Sequence, residues 1–138
     1  MAVKRSGTAH WAGNGKHGKG TLSTESGVLS RVHYSYKTRF EEGIGTNPEE
    51  LIAAAHAACY SMKLAFVFQA ANITPETIDT KAYVHLDQGV IHEINLFTRV
   101  SVDGVDKASF DQYVQEAKEN CPVSKSLNAK ITLDAEMV

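Results

Sequence analysis

The sequence predicts an α+β protein with the element order βββ-α-ββ-α-β, a mostly antiparallel sheet and one buried central helix. Three observations carry that expectation. Short runs rich in Thr, Tyr, Val and Leu, set off by glycine-rich or polar turns, fill the first third of the chain. The stretch from Leu51 to Ala71 is apolar nearly all round, as in a helix without a solvent face. Later segments alternate apolar and polar residues with the period of a half-buried strand.

The first strands are expected at Thr8–Ala12, Gly20–Thr24 and His33–Thr38, parted by AGNGKHGKG and ESGVLS. A loop, Arg39–Thr46, follows, and Gly43 and Gly45 mark the switch to helix. Asn47 suits a cap and Pro48 a first helical position, while Glu49 and Glu50 favour the positive end of the helix dipole. That helix is expected to end at Asn72–Pro75. Ala82, Val84 and Leu86, then Val90, Ile94, Leu96, Val100 and Val102, predict a hairpin turning at Asp87–Gly89. A second helix is expected over Asp106–Asn120. Phe110, Tyr113, Val114 and Ala117 form its apolar stripe, Cys121 continues it, and Pro122 stops or redirects the chain. Ile131, Leu133, Ala135 and Met137 predict a final strand.

At 138 residues, the chain fits a single domain, 1–138, with a real core. A net charge of −2 argues against nucleic-acid and anionic-membrane partners, which call for a basic surface. Lys4–Arg5 and Lys16–Lys19 read as solvated segments. The stretch MAVKRSGTAHWAGNGKHG has no apolar signal region. Leu51–Ala71 is interrupted by His56, Ser61, Lys63 and Gln69, so no membrane span is expected. A cytoplasmic address follows, and there a structural disulfide is not expected.

Two cysteines then need an account. Free Cys is commonly buried as a small hydrophobe, and Cys59 among alanines and Cys121 on an apolar stripe both fit that reading. Other features point to chemistry. Cys121-Pro122 lies at a helix end. Arg39, Glu41, Glu42, Glu49 and Glu50 lie just upstream of the apolar helix, and a nearby guanidinium favours thiolate, the reactive form of a cysteine. A peroxide-reactive thiol with a resolving partner requires two cysteines. Zinc is disfavoured: His56 and Cys59 share a helix face, but no second close pair exists, and His10, His17, His33, His85 and His92 are scattered. His56 as base for a hydrolytic cysteine lacks an orienting third residue. From the residues alone, a redox sensor and a non-catalytic binding domain stay open as alternatives.

The run TRFEEGIGTNPEELIAAAHAACYSM, with NCPVS about sixty residues later, resembles the osmotically inducible protein C and organic hydroperoxide resistance (OsmC/Ohr) family, most closely its OsmC branch. AHWAGNGKHGKGTLSTESGVL and ITLDAEM extend the resemblance over essentially the whole chain. It implies an OsmC-like fold in an intertwined homodimer, with active sites at the subunit interface. It implies a thiol-dependent peroxidase that reduces organic hydroperoxides to alcohols. Cys59 matches the peroxidatic cysteine, Cys121 the resolving cysteine, Arg39 the arginine facing the thiolate, and Glu49 the glutamate pairing with that arginine. The implied product on the enzyme is a Cys59 sulfenic acid, then a Cys59–Cys121 disulfide. The implied reductant is an external dithiol of lipoyl type, such as a lipoylated protein, with no metal, haem or flavin cofactor. Phe40, Met62, Phe66, Phe110 and Tyr113 are candidate walls for an apolar peroxide pocket; His56 is left without a role. Ten helical residues from Glu49 to Cys59 rise about 15 Å. One arginine pocket for both therefore predicts a helix break near Ala55–Ala58, with Cys59 at the stabilising start of a second helix.

Overall fold

The computed structural model describes residues Met1–Val138, which form two compact units, Met1–Leu51 and Ile52–Val138. The first unit holds an antiparallel sheet of β1 (Gly7–Ala12), β2 (Lys19–Thr24) and β3 (Val32–Tyr34), in that order. Trp11 and Tyr34 pack at 5.4 Å over Gly20, where a β-carbon would fall 2.5 Å from the Tyr34 ring. The third strand stops earlier than its β-branched and aromatic content predicts. Ser35 accepts from the Thr38 backbone N–H, and Thr38 Oγ1 accepts from the Ser35 N–H at 2.8 Å. This reciprocal cap starts a short helix, α1 (Tyr36–Phe40), where strand and loop were expected. Only Gly20, Thr38 and Thr46 are buried among residues 1–51, so this unit encloses no apolar core.

Helix α2 (Pro48–Ala70) begins as the cap residues require: Asn47 Oδ1 accepts from the Glu50 N–H at 2.8 Å. It then runs without interruption to Ala70. The break expected at Ala55–Ala58 does not occur. The reason is local: alanine has the highest helix propensity, and this segment has no Gly or Pro to part it. Two short helices, α1 and one following Cys121, add to the predicted order. By length and composition alone, α2 is apolar enough to cross a bilayer. Its Tyr60, Leu64, Val67 and Phe68 are instead buried in the protein core.

The second unit forms a sheet of β4 (Thr77–Asp87), β5 (Val90–Ser101) and β6 (Lys130–Met137). Gln88 and Gly89, both at positive φ, make the tight turn of the hairpin. A bulge between His85 and Leu86 shifts the register, pairing His85 with Glu93 but Leu86 with Ile91. It reverses the inward parity at the strand start, so Val90 is exposed although it shares the even numbering of the buried Ile94 and Leu96. Strand β6 pairs parallel to β5, the one parallel pairing among four. The crossover is α3 (Lys107–Asn120), capped by Asp106, and α4 (Pro122–Ser126). Pro122 therefore redirects the chain into a new helix. Tyr60, Leu64 and Phe68 of α2, Ile94, Leu96 and Val100 of β5, and Phe110, Val114 and Ala117 of α3 form the core. Tyr60 buries its ring and satisfies its hydroxyl by donating to the Val114 carbonyl at 3.1 Å.

Candidate active site

Helical spacing puts His56, Cys59 and Lys63 on neighbouring turns of α2. His56 is fully buried, whereas Cys59 is half-buried. The Cys59 side chain lines a cavity of about 280 Å³ with Ala58, Met62, Lys63, Phe66 and Pro122. The walls are almost wholly apolar, and Met62 and Phe66 are largely exposed. Phe110 does not line this cavity: it is 0% exposed in the core, the outcome of its central place on the α3 stripe. Tyr113 packs edge-on against Phe68 at 5.5 Å.

Cys121 closes α3 and caps α4, and it is 0% exposed. Its thiol and that of Cys59 are near enough to perturb one another's ionisation, and neither is in a disulfide. The two thiols are held differently. Burial pushes the Cys59 thiol up, and the proton it shares with Cys121 adds to the rise, against the backbone N–H of Val123 and the charge of Lys63. Cys121 is also desolvated, yet it is drawn down overall by the Val123 and Ser124 backbone N–H groups, the Ser124 hydroxyl and the Cys59 S–H. The Cys121 side chain makes no capping hydrogen bond at the start of α4; the nearby N–H groups act on the sulfur electrostatically. Access and acidity are thus split: Cys59 borders the cavity, while Cys121 is the more readily ionised thiol in the core.

Behind Cys121, His56 Nε2 lies 2.6 Å from Ser124 Oγ. Neither Ser124 nor Lys63 was singled out from the sequence. Lys63 had a local signal, four residues beyond Cys59 on a helix. Ser124 lay within the quoted CPVS motif, but its partner is sixty-eight residues away.

In the first unit, Arg39 Nε donates to Glu49 Oε1 at 2.6 Å. Glu49 is mostly buried, with Oε2 left without a partner, and Arg39 is 41% exposed. The guanidinium stacks 5.1 Å from the Phe40 ring. Arg39 and Phe40 line a cavity of about 250 Å³ whose walls include Trp11, Tyr34, Tyr36 and Pro48. Asn47 Nδ2 donates to the Thr38 carbonyl at 3.1 Å, tying the short helix that carries Arg39 to the start of α2 that carries Glu49. No three His, Cys, Asp or Glu side chains gather as a metal site.

Comparisons with known proteins follow this geometry. Residues 41–136 match the family model described as OsmC-like protein. The chain is 51% identical to peroxiredoxin OsmC of Escherichia coli (strain K12), with 99% of each chain covered. It is 29% identical to an organic hydroperoxide resistance protein of Xanthomonas axonopodis pv. citri, over 90% of this chain and 89% of that one. Among solved structures, the organic hydroperoxide resistance protein OhrB of Bacillus subtilis superposes with a TM-score of 0.65 at 25% identity, covering 94% of this chain and 97% of that one.

Proposed function

Because the chain belongs to the OsmC-like protein family, we propose that it is a thiol peroxidase reducing organic hydroperoxides to alcohols. The observation that carries this reading is the thiol pair: Cys59 borders an apolar cavity, and a second thiol is buried directly behind it. A relative named peroxiredoxin OsmC, at 51% identity, supports the same reaction class.

The Cys59 thiolate attacks the O–O bond, releasing an alcohol and leaving Cys59 as a sulfenic acid. Cys121 then displaces the hydroxyl to form the Cys59–Cys121 disulfide, with loss of water. An external dithiol, of the lipoyl type that the family resemblance implies, restores both thiols by exchange. Cavity walls favour an organic substrate, since each Å² of apolar surface withdrawn from water contributes roughly 25 cal/mol. Hydrogen peroxide has no such surface.

A raised Cys59 thiol needs a cation before it can attack. Lys63 supplies part of that charge. To Arg39, oriented by Glu49, we assign the rest. Arg39→Met is expected to slow sulfenic acid formation by about 10–100-fold while leaving the disulfide step intact; an unchanged rate in rapid-mixing measurements would remove Arg39 from the mechanism. The homodimer is proposed on a structural ground too. A unit of three strands without a buried apolar residue is unstable alone, and α2 carries Ala54, Ala58, Met62 and Phe66 as an exposed apolar stripe at four-residue spacing. A sedimentation mass of one 15.0 kDa chain would overturn the dimer.

Titration of reduced protein with cumene hydroperoxide tests the function. Both thiols are expected to vanish at one equivalent, with hydrogen peroxide far slower. Survival of both thiols in excess hydroperoxide would end the reading.

A further inference from the structure

The peroxidase reading leaves one buried polar side chain unused. His56 is fully enclosed, its Nε2 lies 2.6 Å from Ser124 Oγ, and its Nδ1 has no partner. Ser124 sits in the first turn of α4, three residues after Cys121, the residue that begins that helix, and its hydroxyl is among the groups that draw the Cys121 thiol down. The α2 helix thus presents Cys59 to one side of Cys121 and, one turn earlier, His56 to the serine on its other side.

The orphaned nitrogen selects the tautomer. With Nδ1 protonated, a buried N–H would stand unpaired, which native structures rarely tolerate; with Nε2 protonated, only a lone pair stands unpaired. Nε2–H therefore donates to Ser124 Oγ. A serine whose oxygen is engaged by that donor has its single hydrogen left for the sulfur. The opposite arrangement, serine donating to His56, would leave Cys121 without it. Burial alone pushes the imidazole below its usual range, so it remains neutral and keeps this polarity. The other titratable groups around Cys121 are Cys59 and Tyr60, and Lys63 acts on Cys59.

We propose that His56 is a positioning residue for disulfide closure: it holds the Ser124 hydroxyl so that the hydroxyl donates to Cys121 as that sulfur attacks the Cys59 sulfenic acid. The inference rests on the peroxidase reading. In the step itself, the Cys121 S–H and the Cys59 S–O bonds break and the S–S bond forms. Cys121 sulfur is oxidised, the sulfenic sulfur is reduced, and the departing hydroxide leaves as water with the thiol proton. No further oxidant is required. His56 does not touch the peroxide, so its influence is confined to the second step.

The test separates the two steps. Reduced protein is mixed with one equivalent of cumene hydroperoxide across a range of pH. Dimedone trapping reads the Cys59 sulfenic acid, and intact-mass analysis reads the disulfide. In His56→Leu and Ser124→Ala, hydroperoxide consumption in the first turnover is expected at the wild-type rate, and the trapped sulfenic acid is expected to increase. Closure is expected to be slower by about tenfold or more, because a hydrogen bond to a charged sulfur is lost. The pH of half-maximal closure is expected to move up in both, since the thiolate has lost a donor. His56→Gln, which keeps an N–H donor on a longer chain, is expected to recover closure. Wild-type closure in both variants overturns the inference. So does slow closure with an unmoved pH midpoint and no recovery by glutamine, which is the signature of a packing defect. Absence of both the dimedone adduct and the disulfide in the wild-type protein, with the hydroperoxide unconsumed, would instead overturn the peroxidase reading beneath it. Should His56→Leu fail to fold, the half-buried Ser124→Ala carries the test.

Discussion

Cys59→Ser is expected to reduce hydroperoxide consumption by roughly a thousandfold or more, because a serine hydroxyl does not ionise near neutral pH and the thiolate is the nucleophile. Cys121→Ser is expected to behave differently. It should turn over one equivalent of peroxide, accumulate sulfenic acid on Cys59 and then stall, or pass on to the sulfinic acid with excess peroxide. The contrast matters because acidity by itself would choose the other residue. Cys121 is held below the ordinary thiol range and Cys59 above it. Burial decides otherwise: Cys121 has no exposed surface, and of the two only Cys59 borders the apolar cavity. A low-pKa sulfur that no substrate reaches is suited to attack a neighbouring sulfur. Stopped-flow consumption of cumene hydroperoxide by the two variants decides the matter. If the first turnover survives in Cys59→Ser and disappears in Cys121→Ser, the roles are reversed.

Phe110→Ala is expected to destabilise the protein by about 3–5 kcal/mol, the usual cost of emptying a phenylalanine-sized space in a close-packed core. For a chain of this length, that lowers the thermal midpoint by roughly 10–20 °C. Phe110 is fully buried and belongs to the same core cluster as Tyr60 and Val114. Residual folded protein should retain its preference for organic over hydrogen peroxide. Met62, by contrast, is 65% exposed at the cavity, and its truncation acts on substrate preference. Urea unfolding monitored alongside peroxide selectivity distinguishes the two roles. Near-native stability with altered selectivity in Phe110→Ala would make it a pocket wall after all.

These two residues show how far a linear reading extends. Phe110 and Met62 are both large apolar residues on helices beside a cysteine motif, and nothing local tells them apart. One points into a core assembled from distant strands, the other away from it. The same limit explains β3. Its composition favours extension to Thr38, but the Ser35–Thr38 capping box ends it three residues after it begins. At Val90, alternation predicts an inward side chain, and a bulge in its own strand, at His92, turns it outward. Reading α2 as broken came from requiring Glu49 and Cys59 to share one arginine within one chain. The helix obeyed its alanines instead.

Local chemistry alone specified much of the rest. The Asn47–Pro48 start of α2, the Asp106 cap of α3, the Gln88–Gly89 turn and the strand periods all follow from interactions between residues a few positions apart, and each appears in the structure. The family resemblance carried by the motifs around Cys59 and Cys121 implied the thiol pair and the Arg39–Glu49 pair. Tertiary packing decided what no short window contains. It set Cys121 out of solvent's reach and Cys59 at a cavity, laid β6 parallel to β5, and brought His56 to a serine sixty-eight residues away. Reactivity belongs to that second class, because desolvation and hydrogen bonding act through space, and residues distant along the chain become neighbours only once the core has closed.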